Sequence, residues 1–162
     1  MRSGPTAALL SLALILPGCG DDGTAAAGSG KVSTNVTRTK ASPSAAAKRC
    51  GAQLGDLLDS LESLGNTLAV GLDYEQYLGS VNGVRVSYAG VAADRLGIVC
   101  LSRVAAPAEG ALNVYIDAAN EWGNCLAASS CDPESIEPRL QREWERASEK
   151  LARAQGGLRD LS

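Results

Sequence analysis

Asp117 and Glu121 stand four residues apart in a stretch with helical periodicity, the spacing that puts two carboxylates on one face. Such a pair can hold a hard cation through its oxygens or divide acid and base duties. The same spacing more often describes solvated like-charge neighbours. Asn113, Asp117, Asn120 and Asn124 step 4, 3, 4 on that stretch, with Tyr115 and Trp122 close by. Amides, a carboxylate and aromatic faces are groups that bind a sugar or a peptide; the plain alternative is a polar helix face beside core aromatics. The chain contains no histidine. That excludes Ser-His-Asp and Cys-His nucleophiles and removes the commonest metal ligand. The cysteines form no paired C-x-x-C knuckles, and no glycine-rich phosphate loop leads into a helix. The sequence therefore predicts no catalytic residues, no metal and no cofactor.

Five cysteines is an odd number, and in an exported protein the odd thiol needs a role. The N-terminus supplies one. Arg2 precedes an apolar run from Ala7 to Leu16, about half the length needed to span a bilayer, as in a secretory signal. Leu16-Pro17-Gly18-Cys19 follows directly and resembles the lipobox of bacterial lipoproteins, with Leu three before the cysteine and a small residue just before it. Pro17 stands where the family usually has a small or β-branched residue. The resemblance implies that residues 1–18 are removed and that Cys19 becomes an acylated N-terminus carrying diacylglyceryl and palmitate-type chains. Two acyl chains bind a membrane stably where one binds marginally. The alternative is an ordinary signal cut later, after Ala25-Ala26-Ala27. Setting Cys19 aside leaves Cys50, Cys100, Cys125 and Cys131, an even set suited to an oxidising compartment.

Residues 20–43 are almost wholly Gly, Ala, Ser, Thr, Asp, Lys and a few Val, a composition that cannot bury a core. As a flexible chain they would reach roughly 27 Å root-mean-square. Residues 44–162 have the size of one domain. Without residues 1–18 the chain carries 18 acidic and 14 basic side chains. That balance argues against a nucleic-acid partner and against a polybasic membrane patch. With no phenylalanine, the core falls to Leu, Val, Ala, Tyr and the two tryptophans.

Four amphipathic helices are predicted. In the first, from about Ser44 to Leu64 or slightly beyond, Cys50, Leu54, Leu57, Leu61, Leu64 and Leu68 make one seam, with Gly65-Asn66 as a cap or soft spot. Asp73 and Gln76 form a capping-box pair that opens the second, which runs through Tyr77, Val81, Val84 and Tyr88. Val84 to Tyr88 also alternates as a strand would, but no partner strand exists for it. Gly79, Gly83, Gly90 and Gly97 suggest a smooth face for a neighbouring helix, or a ligand groove. A break near Ala93-Asp94 is also open, and Pro107 is expected to end that element. The third helix has Ala108, Leu112, Tyr115, Ala119, Trp122 and Leu126 on its buried seam. The fourth starts near Pro133, capped by Asp132 or Ser135, and buries Ile136, Leu140, Trp144, Ala147, Leu151 and Ala154. Arg139 is expected to pair with Glu143 and Glu149 with Arg153 on the solvent side, and Gly156-Gly157 to stop the helix.

Short connections make an antiparallel up-down bundle the economical all-α architecture. In that layout Cys50 meets Cys100, while Cys125 lies some 25 Å or more away along its helix and meets Cys131 across the last turn. Residues 111–122 together with Cys125, Cys131, Gln141 and Trp144 resemble small helical lipoproteins of high-GC Gram-positive bacteria. The resemblance implies fold and compartment and brings no activity with it. The expectation is a non-enzymatic interaction module on the outer face of the cell membrane, held to the bilayer by its lipid, with an envelope protein or small ligand as partner. A small-ligand carrier with a site between helices comes second, and a carboxylate-only enzyme last.

Overall fold

The computed structural model describes residues Pro43–Ser162, so Cys19 and the signal segment lie outside the described residues. Helix α1 is Pro43–Val70, α2 is Tyr74–Ala89 and α4 is Pro133–Asp160. Between them α3 is a single rod with three consecutive segments: Ile98–Cys100, a π-helical turn Leu101–Ala105, and Ala106–Ala127. A 3₁₀ turn, Ala93–Arg95, sits in the connection from α2 to α3. All four helices pack against one another as an all-α bundle, with α3 against α4 as the most extensive pairing. None of the described helices is long and apolar enough to cross a membrane.

The apolar seams put the core where the spacing predicts. Cys50, Leu54, Leu57, Leu61 and Leu64 of α1 face Tyr77, Val81 and Val84 of α2, Val104, Leu112 and Tyr115 of α3, and Leu140 and Leu151 of α4. No polar or charged residue is buried among the described residues. Ala108, Ala111, Ala118 and Ala119 on α3 and Ala147 and Ala154 on α4 are buried too, and such small side chains let these two rods lie close. Cys50 and Cys100 are bonded, Cα atoms 5.8 Å apart, and so are Cys125 and Cys131, at 5.1 Å. In the chain-entropy model the first bridge, across 50 residues, contributes about 4 kcal/mol and the second, across 6, about 2. Both mark a protein kept in an oxidising, extracytoplasmic setting.

The second helix opens with the capping box: the Asp73 carboxylate accepts from the Gln76 amide at 2.8 Å, and the Gln76 side chain accepts from the Asp73 amide at 3.3 Å. Asp132 caps α4 by accepting from the Glu134 amide at 3.1 Å. The stretch that could have been a strand is helical.

Four local expectations are corrected, and one alternative is decided. Helix α1 runs through Gly65-Asn66 into a final turn, so these residues are not its cap, because Leu64 and Leu68 carry its apolar seam across them. It ends instead at Gly71, whose φ of +104° is left-handed. Pro107 does not end its element. A proline ring collides with the carbonyl four residues back and offers no N–H to it. The π turn widens the helix at that point, with the Ala106 amide bonded five residues back to Leu101. Gly156-Gly157 does not stop α4 either. Gly157 is where α4 crosses α3 most closely: a Cβ there would lie 2.3 Å from the Arg103 carbonyl oxygen, the group that Pro107 leaves without its i+4 donor. Arg139 pairs with Glu121 across the α3–α4 interface, and Glu143 pairs with Arg146. Leu126 is exposed, and Cys125 takes the buried place beside it.

The glycines of α2 do not serve close packing, since a methyl group at Gly79 or Gly83 meets nothing within 4 Å. Gly83 borders a shallow groove with Ser60, Ser63, Thr67 and Ser80, away from the aromatic residues of α3. Gly157→Ala is therefore expected to destabilise the protein by about 1–3 kcal/mol through overpacking. Gly83→Ala should stabilise it by up to about 1 kcal/mol. Urea unfolding of the two variants checks the contrast; equal effects would remove the close crossing at Gly157.

Candidate functional site

Where α1 turns into α2, four aromatic rings from three helices meet. Tyr74 and Tyr77 stand on the first turn of α2, positioned by the Asp73–Gln76 cap. Trp122 comes from α3 and Trp144 from α4. Ring centroids lie 5.6 Å apart for Tyr74–Trp122, 5.9 Å for Tyr77–Trp122, 5.7 Å for Tyr77–Trp144 and 6.2 Å for Trp122–Trp144. Two of these pairs are edge-on and two tilted, arrangements favoured by the ring quadrupoles. Gly123 makes room for the cluster, because a Cβ there would lie 2.3 Å from the Tyr74 hydroxyl.

A relay of hydrogen bonds fixes the ring orientations. The Trp144 indole Nε1–H donates to the Tyr77 hydroxyl at 3.1 Å, and that hydroxyl donates to the Tyr115 carbonyl at 2.8 Å. Tyr77 is fully buried, and burial is the chief cause that holds its phenol well above the ordinary tyrosine range; the Trp144 N–H opposes the rise. Burial also raises Tyr115, with Ser148 opposing in part. The Tyr115 hydroxyl has no hydrogen-bond partner of normal geometry and lies where a Cβ on Gly65 would sit 3.4 Å away.

Beside the cluster opens a cleft of about 290 Å³. Leu68, Leu72 and Leu140 form its apolar walls with Trp122 and Trp144, and Glu134, Glu137 and Gln141 its polar side. Both glutamates are exposed. Gly71 turns the chain sharply enough to bring Leu68 and Leu72 to the same wall.

Of the residues singled out in the sequence, only Trp122 reaches this cleft. Asn113, Asp117, Asn120 and Asn124 are exposed along α3, while Tyr115 is wholly inside the bundle, so that set is not brought together. The Asp117–Glu121 pair is divided between arginines: Glu121 pairs with Arg139, and Asp117 adds a small part to the rise in the Arg146 pKa that Glu143 chiefly causes. Among the described residues no group of three or more His, Cys, Asp or Glu comes together as a metal site would require. Glu134 and Glu137 were passed over, and Gln141 and Trp144 were named only for the resemblance and the core seam, yet the four step 3, 4, 3 along α4 and so share one stripe. That stripe was the available signal. Tyr74 and Leu72 had none, since their place depends on how α1 and α2 meet.

Compared with known proteins, the chain matches no family model, no curated protein and no solved structure.

Tyr77→Phe removes the link between Trp144 and the Tyr115 carbonyl and is expected to cost about 1–3 kcal/mol. Tyr115→Phe removes an unpartnered hydroxyl and should be neutral or slightly stabilising. Both phenols keep their protons in the folded state where the unfolded chain gives them up, above about pH 10. Stability should therefore hold below that pH and fall as pH rises beyond it, with a shallower fall in Tyr77→Phe. Denaturant titrations from neutral to alkaline pH measure all three; a Tyr115→Phe loss equal to that of Tyr77→Phe would contradict the assignment.

Proposed function

We propose that this chain is a lipid-anchored binding module, without enzymatic activity, that works outside the cytoplasm and takes a positively charged group into the aromatic cleft. One observation carries the reading: Trp144, held by the hydrogen-bond relay, and Trp122, packed against it, flank an apolar cleft whose polar side bears Glu134 and Glu137. Aromatic faces attract organic cations through their quadrupoles, best for tryptophan, and carboxylates add direct charge. About 290 Å³ is the lower end of ligand-pocket sizes. That space suits a quaternary ammonium group or a lysine or arginine side chain of a partner protein. The relay spends the Trp144 N–H and the Tyr77 O–H inside the protein.

The anchor rests on the lipobox-like residues around Cys19 and on the even cysteine set in the bundle. A carrier of apolar ligands is the second reading. It is favoured by a hollow of about 280 Å³ lined by Leu54, Leu57, Leu96 and Leu101, with Tyr88 and Glu109 at its edge.

Titration of the tryptophan emission with tetramethylammonium and with lysine- or arginine-containing peptides tests the cleft. Cations should shift the emission where neutral isosteres do not, and Glu134→Gln with Glu137→Gln should weaken binding about fivefold, the scale of exposed charge pairs. Equal response to a cation and its neutral isostere would overturn the reading. Cells fed labelled palmitate should label the wild-type chain and leave Cys19→Ala unlabelled; label in both would remove the anchor.

A further inference from the structure

We infer that the end of the bundle where the chain enters is a docking face for an anionic membrane surface. The inference rests on the lipid anchor proposed above. That end is built from the start of α1, the connection from α2 to α3, the start of α3 and the end of α4. Three observations join these segments: the Cys50–Cys100 bridge, the crossing of Gly157 with Arg103, and the contact of Leu158 with Gly51.

Charge is divided unevenly along the bundle axis. Lys48, Arg49, Arg95, Arg103 and Arg159 lie at the entry end, all exposed, against the two carboxylates of Asp94 and Asp160. The rest of the described chain carries six basic and fourteen acidic side chains. None of the five basic groups is in an ion pair among the described residues. The overall negative charge therefore hides a positive pole, and the polybasic patch that composition argued against is assembled by the fold.

Apolar side chains project at the same end. Ile98 is 77% exposed and Val99 47%, both within a turn of Cys100, whose partner Cys50 directly follows Lys48 and Arg49 in the chain. An exposed isoleucine–valine step at an end that carries basic groups is the chemistry of an interfacial anchor: the apolar pair enters the headgroup boundary while the cations meet anionic lipid. The chain leads from Cys19 to this pole, since 23 residues separate that cysteine from Pro43, the first residue of α1. Along the chain the positive pole is therefore the part of the bundle nearest a lipid at Cys19. With that pole docked, the aromatic cleft, on the acidic half, faces away from the membrane.

Both native tryptophans stand at the far end; Trp122 is about 36 Å along α3 from Ile98 at 1.5 Å per residue. Brominated acyl chains should leave them unquenched, which makes Ile98→Trp a clean reporter in the full lipidated protein. In vesicles of phosphatidylcholine with phosphatidylglycerol, brominated lipid should cut the Ile98→Trp emission about twofold relative to wild type, as expected for a side chain in the interface. Salt of about 0.5 M, or Lys48→Glu with Arg49→Glu and Arg95→Glu, should remove most of that extra quenching. Val99→Trp gives an independent second probe. No quenching beyond wild type in either probe would overturn the proposal, as would equal quenching in pure phosphatidylcholine. The anchor is read separately, by flotation of the protein with vesicles at the same high salt. Protein that fails to float there lacks the anchor, while quenching at low salt still decides the docking face.

Discussion

The crossing of α3 and α4 sets the register on which the other contacts depend. Arg103 meets Gly157, Gly110 meets Lys150, and Glu121 meets Arg139, three pairs at one constant antiparallel offset. The lowest of them has no slack, because a backbone carbonyl lies against the one residue type that has no Cβ. Pro107 is part of the same constraint. It makes the π turn that displaces the Arg103 carbonyl, so one imino acid on α3 selects glycine on α4. Shifting this register by a residue would rotate Trp144 away from Tyr77 and break the relay through the Tyr77 hydroxyl. The aromatic cleft is in that sense a product of packing about 20–30 Å away along the rods.

Local signals carried most of the fold. Seams of Leu, Val and Ala at helical spacing, the Asp73–Gln76 box and the Asp132 cap were all legible, and the bridge pairing followed from the layout they imply. Two of the errors are of one kind. Pro107 and Gly156-Gly157 are helix breakers by intrinsic propensity, and both were overridden, Pro107 by the π turn and the glycines by tertiary packing. Gly157 shows why: its cost to the helix is offset by a crossing that no other residue permits.

The site was less legible than the fold. A stripe such as Asn113 to Asn124 shows that a helix face is polar, not that anything opposes it, and here it faces solvent. Trp122 and Trp144 read as core by spacing, yet both are only partly buried, because the bundle ends just beyond them. The signal that mattered, two glutamates and a glutamine in line with a tryptophan, looked like an ordinary solvated face until Leu68 and Leu72 were placed opposite it. Charge distribution was hidden for a similar reason: net charge is a property of the chain, and polarity along an axis is a property of the folded object.

The two disulfides join the cysteines of the bundle in the order in which the chain presents them, first with second and third with fourth. Neither loop encloses or interleaves with the other. A chain oxidised as it emerges, N-terminus first, would meet each correct partner before any wrong one from the later pair is available. Among these four cysteines such a topology calls on an oxidant rather than on reshuffling.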